Sequence, residues 1–433
     1  MNPEKLTEPF VTPAVWKRSE TRSSRSDFFG NAFACVIPML IFVEMDLVGR
    51  LFLSEILLLC MLPFLLWTRG RLLLAPLPKK LMLLGCAWLL AQMVTDVIRD
   101  SPLEDWSRGW SKIAFLLLNF SAIYLYLNGK EKRFFWFAVG IALGQILAYF
   151  LNPNVFVENY PWKFGYGMAI TFLVVQVSQI KVFEKKKLFQ SFIILGMGIL
   201  NFYLDFRSLG LVCLLTGGFL LVRKSNGFDF RKLKRSEVAM LILLGGVALY
   251  GITALYGYTV NAGWFGEEVR DKYLLQSSGD MGIMVGGRSE ILASGQAVID
   301  SPIIGHGSWA KDQKYADIMA YGLLQHGYQF QGMSESDLIP SHSYMMGAWV
   351  EAGFVGAIFW FWGLMLIVRT LIATYGANSS LVPLIAFVAF NLLWNILFSP
   401  FGAEGRLYAA YDLSLMIFAL TLSIRSIKTK RLV

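Results

Sequence analysis

The sequence predicts an all-α membrane fold with about twelve transmembrane helices and one large loop that contains short helices. Three observations carry this prediction. The chain has 433 residues, of which 56% are hydrophobic and only 16% are charged. Its apolar residues gather in runs about as long as a bilayer is thick. One long polar stretch, residues 259–342, interrupts these runs and holds all three histidines.

Twelve apolar runs divide the chain, and several are close to the lower limit of about 17 residues for a membrane span. They cover residues 28–43, 51–67, 81–98, 113–127, 134–151, 163–183, 188–205, 207–222, 237–258, 343–368, 380–397 and 407–424. We therefore expect these parts in order: an N-terminal segment over 1–27, transmembrane helices 1–9 within 28–258, the large loop over 259–342, helices 10–12 within 343–424, and a tail over 425–433. The first 27 residues are polar, and we expect no signal peptide.

Basic residues alternate along the connections between the runs. They are abundant in every second connection up to the ninth run and again in the C-terminal tail, at residues 69–80, 130–133, 181–187, 223–235 and 425–431. Because cytoplasmic connections carry such an excess of Lys and Arg, the pattern predicts that both termini are cytoplasmic and that the large loop faces the periplasm or the cell exterior. The net charge of +9 then reflects membrane topology and not a nucleic-acid partner.

The sequence predicts neither a disulfide nor a metal site. All four cysteines lie inside apolar runs, where thiols behave as small hydrophobic groups. The three histidines, His306, His326 and His342, are 20 and 16 residues apart. That spacing matches no compact zinc-ligand pattern.

The large loop is predicted to be folded in its second half. Residues 289–300 have apolar side chains at mixed helical spacing, and Ser301-Pro302 would end such a helix. Arg270 and Lys272 lie among acidic residues earlier in the loop. They are candidates for substrate binding, with a solvated charge cluster as the alternative.

Three residues stand where the hydrophobic pattern meets the outer face: Arg207, Arg288 and His342. The planar donor fork of arginine suits phosphate oxygens, so the two arginines together could hold a diphosphate. A histidine can accept a proton from an attacking hydroxyl near neutral pH. The alternatives are an interfacial Arg207 that snorkels or pairs with Asp205, a solvated Arg288 or its pairing with Glu290, and a helix-capping or hydrogen-bonded His342.

Glu351 is a further candidate for substrate binding, because a carboxylate within an apolar run is costly and often functional. The alternative is a bond from Glu351 to a neighbouring helix. Glu351 follows His342 by nine residues, which places it about half a turn round the helix and roughly 13 Å deeper. We therefore expect no direct contact between the two side chains. Gly353 and Gly356 are expected to let neighbouring helices pack closely.

Three segments together resemble the bacterial O-antigen ligase and O-antigen (exopolysaccharide) polymerase superfamily of polytopic membrane glycosyltransferases. The first is SHSYMMGAWVEAGFVGAIFW at residues 341–360, similar to the helix that follows the large periplasmic loop of the family. The second is GGRSEILASGQAVIDSPIIGHGS at 286–308, and the third is DFRSLGLVCLL at 205–215. Phe206 departs from the family pattern, in which many members have a small polar residue.

The resemblance implies transfer of a glycan from an undecaprenyl-diphosphate carrier to a sugar hydroxyl at the periplasmic face of the bacterial inner membrane, without a cofactor or metal. Arg288 and Arg207 would stabilise the departing diphosphate, and His342 would orient or deprotonate the acceptor. Polymerisation of repeat units is the favoured reaction, and a chain-length regulator is then an expected partner.

Two alternatives stay open from the sequence. A ligase would transfer the glycan to lipid A-core, and no single residue distinguishes it from a polymerase. A lipid-linked glycan flippase or transporter would also need many helices, and it would use ionisable residues near mid-membrane. The candidates for that role are Glu55, Asp96, Glu351 and Asp412.

Overall fold

The computed structural model describes residues 24–47, 49–153, 155–180, 187–223, 254, 257–263, 266–267, 270–271, 273–274, 290–325, 337–377 and 379–431. Its regular structure is almost entirely helical. The elements are α1 (Ser24–Met39), β1 (Glu44–Leu47), β2 (Gly49–Phe52), α2 (Leu53–Arg69), α3 (Pro76–Ile98), α4 (Leu103–Leu127), α5 (Glu131–Leu151), α6 (Val155–Asn159), α7 (Gly167–Val177), α8 (Lys187–Tyr203), α9 (Arg207–Arg223), α10 (Glu290–Asp300), α11 (Gln313–Gln325), α12 (Tyr344–Thr374), α13 (Val382–Phe398) and α14 (Ala403–Arg431).

The helices confirm the predicted all-α class. Eleven of the twelve apolar runs coincide with a described helix, while the ninth, 237–258, lies almost wholly outside the described residues. The sixth run is divided into a π-helical turn, Pro161–Tyr166, followed by α7. The predicted loop helix over 289–300 is also present, as α10, and Ser301 follows its last residue.

Five helices within the described residues are long and apolar enough to cross a membrane. They are Leu53–Leu74, Pro76–Ile98, Leu103–Leu127, Glu131–Leu151 and Tyr344–Thr374. Shorter apolar helices accompany them, among them Val382–Phe398. These helices identify the chain as a membrane protein, because such lengths of apolar helix are stable where lipid surrounds them.

A small antiparallel hairpin of β1 and β2 precedes α2, and the sequence did not predict it. Its second strand ends at Phe52, whose backbone N–H donates to the Glu55 carboxylate at 3.2 Å in the first turn of α2. Glu55 is 1% exposed, and its carboxylate also accepts hydrogen bonds from the Nε and Nη2 atoms of Arg406, each at 2.5 Å. This buried bidentate pair ties the start of α2 to the start of α14 and gives Glu55 a structural partner.

Helix α12 is broken at Gly353, which has φ 65° and ψ −162°. The segment that follows α10 packs into the break and replaces the missing helical hydrogen bonds. The backbone amides of His306 and Gly307 donate to the carbonyl oxygens of Val350 and Glu351 at 2.7 and 3.1 Å. The break therefore leaves these carbonyl groups satisfied, as buried backbone groups must be.

Glycine is required at the break by both conformation and space. A Cβ on Gly353 would lie 1.9 Å from the carbonyl oxygen of Ile303, and a Cβ on Gly305 would lie 2.6 Å from the Gly353 nitrogen. The expectation that Gly353 serves helix packing was incomplete, because its contact is with a loop. Gly356 does match that expectation, since a Cβ there would come within 3.1 Å of Trp88 in α3.

Asp96 near the end of α3 holds the same loop segment from the other side. Its carboxylate accepts hydrogen bonds from the backbone N–H and the hydroxyl of Ser308, at 2.6 and 2.7 Å. It also accepts from Trp110 Nε1 at 2.7 Å and from the Ser101 hydroxyl at 2.9 Å. Asp96, a candidate for transport chemistry in the sequence, is 3% exposed and fully engaged in holding this loop.

Candidate functional site

A cavity of about 700 Å³ lies between the first half of α12, the ends of α13 and α4, the start of α14 and the loop strand that leads into α12. Its walls combine aromatic and aliphatic side chains with a small number of charged groups. The charged and titratable side chains at its surface are Arg50, Lys112, His342, Glu351, Glu404 and Asp412. An apolar pocket with few convergent polar groups is the usual form of a ligand site.

His342 lies at the wall of the cavity, just before α12 begins. Its Nδ1 atom is 3.5 Å from Oε1 of Glu290, the first residue of α10. The cap of α12 is supplied by Ser343, whose hydroxyl accepts from the Met346 amide at 3.0 Å. The helix-capping alternative for His342 is therefore wrong, while its contact with Glu290 agrees with the alternative of a hydrogen-bonded histidine. With Nδ1 directed at a carboxylate, the imidazole keeps Nε2 for other partners, as in other acid–histidine pairs.

Glu351 also lines the cavity, and its partner there is Lys112 of α4. The Lys112 amine donates to both carboxylate oxygens, at 3.0 and 2.7 Å. The two side chains are only 12% and 17% exposed, so this ion pair is largely removed from solvent. The alternative that Glu351 bonds a neighbouring helix is confirmed by this pair, and its role in substrate binding stays a prediction. Lys112 is a cation that the sequence analysis missed.

A second cation, Arg50, reaches the cavity from the hairpin strand β2. Its guanidinium is 2.6 Å from Oε1 of Glu404 in the first turn of α14, and both residues line the cavity. The pair is more exposed than Lys112 and Glu351, and its electrostatic contribution is correspondingly smaller. Arg50 was overlooked in the sequence because it stands just before an apolar run and no polar motif surrounds it.

The predicted arginine of α9, Arg207, forms an ion pair with Asp205, with its Nε atom 3.0 Å from the carboxylate. This was the alternative considered from the sequence, and that contact is confirmed. The residues on either side, Phe206 and Ser208, line the cavity. Arg207 thus lies beside the cavity wall while its guanidinium is engaged with Asp205.

The remaining predicted site residues lie in the polar loop. Arg270 is exposed, and its backbone amide donates to the Gly266 carbonyl at 3.2 Å. Arg288 and Lys272 lie outside the described residues, as does His326. His306 has a structural position, with Nε2 2.8 Å from the Ala297 carbonyl oxygen and its ring packed edge-on against Tyr315.

The cavity wall also contains an acidic side chain and two amide side chains. Asp412 of α14 lies in the wall and is 6% exposed. Asn391 and Asn395 of α13 also lie there, within a helix that is otherwise almost wholly apolar. Met168 and Phe172 are among the apolar side chains of the wall.

No family model, curated protein or solved structure matches this chain. The geometry of the cavity is therefore the main physical ground for assigning a function. Its residues can bind an anion through Lys112 and Arg50, move a proton through His342, and accept apolar groups beside the aromatic and aliphatic side chains of the wall.

Proposed function

We propose that this protein is a polytopic membrane glycosyltransferase that moves a glycan from an undecaprenyl-diphosphate carrier to a sugar hydroxyl. The observation that carries the proposal is the cavity itself. It brings a carboxylate-paired histidine and two cations together above an apolar interior. A diphosphate-linked sugar on a polyprenyl tail needs this combination of a cationic mouth, a proton acceptor and an apolar recess.

The reaction we propose is a single in-line displacement. The acceptor hydroxyl oxygen attacks the anomeric carbon of the donor sugar, and the bond from that carbon to the diphosphate oxygen breaks. The bonding electron pair leaves with undecaprenyl diphosphate, and the hydroxyl proton passes to the Nε2 atom of His342. Such a displacement inverts the anomeric centre.

The charges of the cavity match the needs of this step. Negative charge grows on the diphosphate as its bond to the sugar breaks, so nearby cations stabilise the transition state more than the ground state. Lys112 and Arg50 line the cavity and supply such cations, while Arg288 and Arg207 keep the roles that the family resemblance implies. Glu290 would hold the imidazole of His342 in one orientation and stabilise its protonated form.

The membrane topology proposed with this function has twelve spans, cytoplasmic termini and the large loop in the periplasm of a bacterial inner membrane. Contacts among the connections support it. The connections predicted to be outer contact one another, as in Arg99 with Gly305 and Lys311 with Asp105. Those predicted to be inner do the same, as in Lys130 with Asp27.

The proposal is tested with the full-length protein purified in detergent and supplied with undecaprenyl-diphosphate-linked glycan. Longer carrier-linked chains would identify a polymerase, and transfer to added lipid A-core would identify a ligase. Transbilayer movement of the carrier-linked glycan in proteoliposomes, with no new glycosidic bond, would replace the proposal with transport.

Variants test the proposed roles in the same assay. His342→Ala is expected to lower the transfer rate about a hundredfold or more, the usual contribution of a general base. Arg288→Ala is expected to abolish product, while Arg71→Ala in the connection after α2 should leave it unchanged. Undiminished transfer by both His342→Ala and Arg288→Ala would remove the assigned roles.

A further inference from the structure

Two asparagines on the apolar helix α13 line the cavity, and the proposed displacement at the diphosphate gives them no role. Helix α13 has the sequence VPLIAFVAFNLLWNILF, in which Asn391 and Asn395 are four residues apart. Residues at this spacing lie side by side on one face, about 6 Å apart. Both line the cavity, as does Trp394, which directly precedes Asn395.

Polar side chains in a membrane helix usually form hydrogen bonds to a neighbouring helix. That explanation does not fit Asn391, because none of the described residues forms a hydrogen bond with its amide. The Asn395 side-chain oxygen accepts from the Ser399 hydroxyl at 2.9 Å, at the end of its own helix. Among the described residues, the two amide nitrogens therefore have no hydrogen-bond partner, and both side chains line the cavity.

A direct contact between α13 and the start of α12 fixes the position of the asparagines relative to His342. The Ser343 hydroxyl donates to the carbonyl oxygen of Ile396 at 2.7 Å, which joins the start of α12 to α13 next to Asn395. Ser343 is 5% exposed, so this contact is buried. A ligand held by the two amides is consequently held in the same cavity as the proposed proton acceptor.

We infer that Asn391, Trp394 and Asn395 form a subsite for a sugar ring, a reading that rests on the proposed function. Amide groups both donate to and accept from hydroxyls, and two of them one helical turn apart can reach hydroxyls across one ring. The Trp394 side chain in the same cavity wall offers an apolar surface for the C–H face of the sugar. Phosphate oxygens are instead matched by the cations Lys112 and Arg50.

The ring bound there belongs either to the donor, as the sugar attached to the diphosphate, or to the acceptor. Both sources present the same hydroxyl chemistry. The test therefore measures donor binding and acceptor use separately, with Asn391→Leu and Asn395→Leu combined in one variant. Leucine keeps the branching and approximate volume of asparagine and removes its hydrogen bonds, and it suits an apolar helix.

The first measurement compares the affinity of the purified full-length protein for bare undecaprenyl diphosphate with that for undecaprenyl-diphosphate-linked glycan extracted from cells that make it. Wild-type protein should prefer the glycan-linked carrier. In the double variant this preference should fall about tenfold, the expected effect of losing two hydrogen bonds. The affinity for the bare carrier should change less than about twofold.

The second measurement determines the KM for acceptor in the transfer assay. If donor preference is intact but this KM rises about tenfold in the double variant, the subsite binds the acceptor. Leu393→Ala is the matched control, because this residue is on α13 but not in the cavity wall. If the double variant keeps both wild-type donor preference and acceptor KM, the subsite is wrong. If wild-type protein fails to bind even the bare carrier, the proposed function itself is overturned, and the subsite with it.

Discussion

Lys112 and Glu351 form an ion pair whose contribution to the free energy of unfolding depends on how deeply it is buried. At 12% and 17% exposure both charges have lost most of their water, so each depends on the other for compensation. Removing one partner of such a pair is expensive because an uncompensated charge remains. In the proposed reaction, the Lys112 amine would exchange the Glu351 carboxylate for the diphosphate and so would not be left unpaired.

Lys112→Met is therefore expected to lower the free energy of unfolding by about 2 kcal/mol or more and to reduce glycan transfer. Adding Glu351→Gln should recover much of the lost stability, since no bare charge remains, but not the activity. Thermal unfolding in detergent and the transfer assay measure the two effects. Lys130→Met is the control, because Lys130 and Asp27 are 35% and 52% exposed in their pair and its loss should cost less than about 1 kcal/mol. Wild-type transfer by Lys112→Met would contradict a catalytic use of this cation.

The sequence revealed some of these residues and concealed others for a physical reason. His342 and Glu351 were found because a titratable group beside or within an apolar run is costly and stands out. Lys112, Arg50 and Glu290 were missed because their significance depends on partners up to 354 residues away, as in the pair of Arg50 with Glu404. Periodicity along one helix carries no information about such pairing.

At the scale of the elements, the sequence predicted where most helices lie but not how α12 is interrupted. Its apolar pattern continues through the break, and glycine is also common in unbroken membrane helices. What decides the conformation is the segment after α10, which supplies the hydrogen bonds that the broken helix lacks. The hairpin of β1 and β2 escaped prediction too, because its strands are only four residues each.

Gly353→Ala is expected to destabilise the protein by more than about 3 kcal/mol, combining an unfavourable positive φ with a severe steric clash. The added Cβ would lie 1.9 Å from the Ile303 carbonyl oxygen, which is backbone and cannot rotate away. Gly196→Ala in α8 is the matched control. Nothing lies within 4 Å of a Cβ there, so this change should be neutral or stabilising by up to about 1 kcal/mol. Equal melting temperatures for the two variants would show that the break is not required.

Asp300 joins α10 to α11. Hydrogen bonds from Lys314, from the Tyr315 hydroxyl and from Gln296 lower the pKa of its carboxyl group to about 2. Burial, and then the hydrogen bond to Asp300, raise the pKa of Tyr315. A carboxyl pKa below its ordinary value contributes stability that is fully present above about pH 4 and is lost as the pH falls towards 2.

We therefore expect Asp300→Asn to loosen the packing of α11 on α10 at neutral pH. Hydrogen exchange at pH 7 should be faster for the amides of residues 313–325 in the variant, with α2 as the internal reference. Lowering the pH from 4 to 2 should then weaken the protection of these amides against exchange more in the wild-type protein than in the variant. Exchange at the wild-type rate throughout α11 would show that Asp300 does not hold these helices together.

At the scale of the whole molecule, long-range polar contacts hold the membrane helices in order. The buried pair of Arg406 with Glu55 spans 351 residues of sequence, and Asn119 of α4 donates to the same carboxylate at 2.8 Å. Three helices distant in the chain therefore meet at one buried charge. Such contacts fix which helices are neighbours, while the apolar surfaces determine only that they enter the membrane.

The topology makes a prediction that can be tested without knowing the substrate. If the large loop is periplasmic, a cysteine at Gln313 in α11 should react with a membrane-impermeant maleimide added to intact spheroplasts. A cysteine at Arg71, after α2, should react only once the membrane is opened. Both positions are exposed in the structure.

The background for this experiment replaces Cys35, Cys60 and Cys86 with alanine and keeps Cys213, which is buried. If Arg71→Cys reacts in intact spheroplasts and Gln313→Cys reacts only after lysis, the orientation of the protein in the membrane is the reverse of the one proposed. His342 and Arg50, which line the cavity, would then lie on the cytoplasmic side. A glycan presented on the outer side of the membrane could not reach them, so this outcome would overturn the orientation and the proposed reaction together.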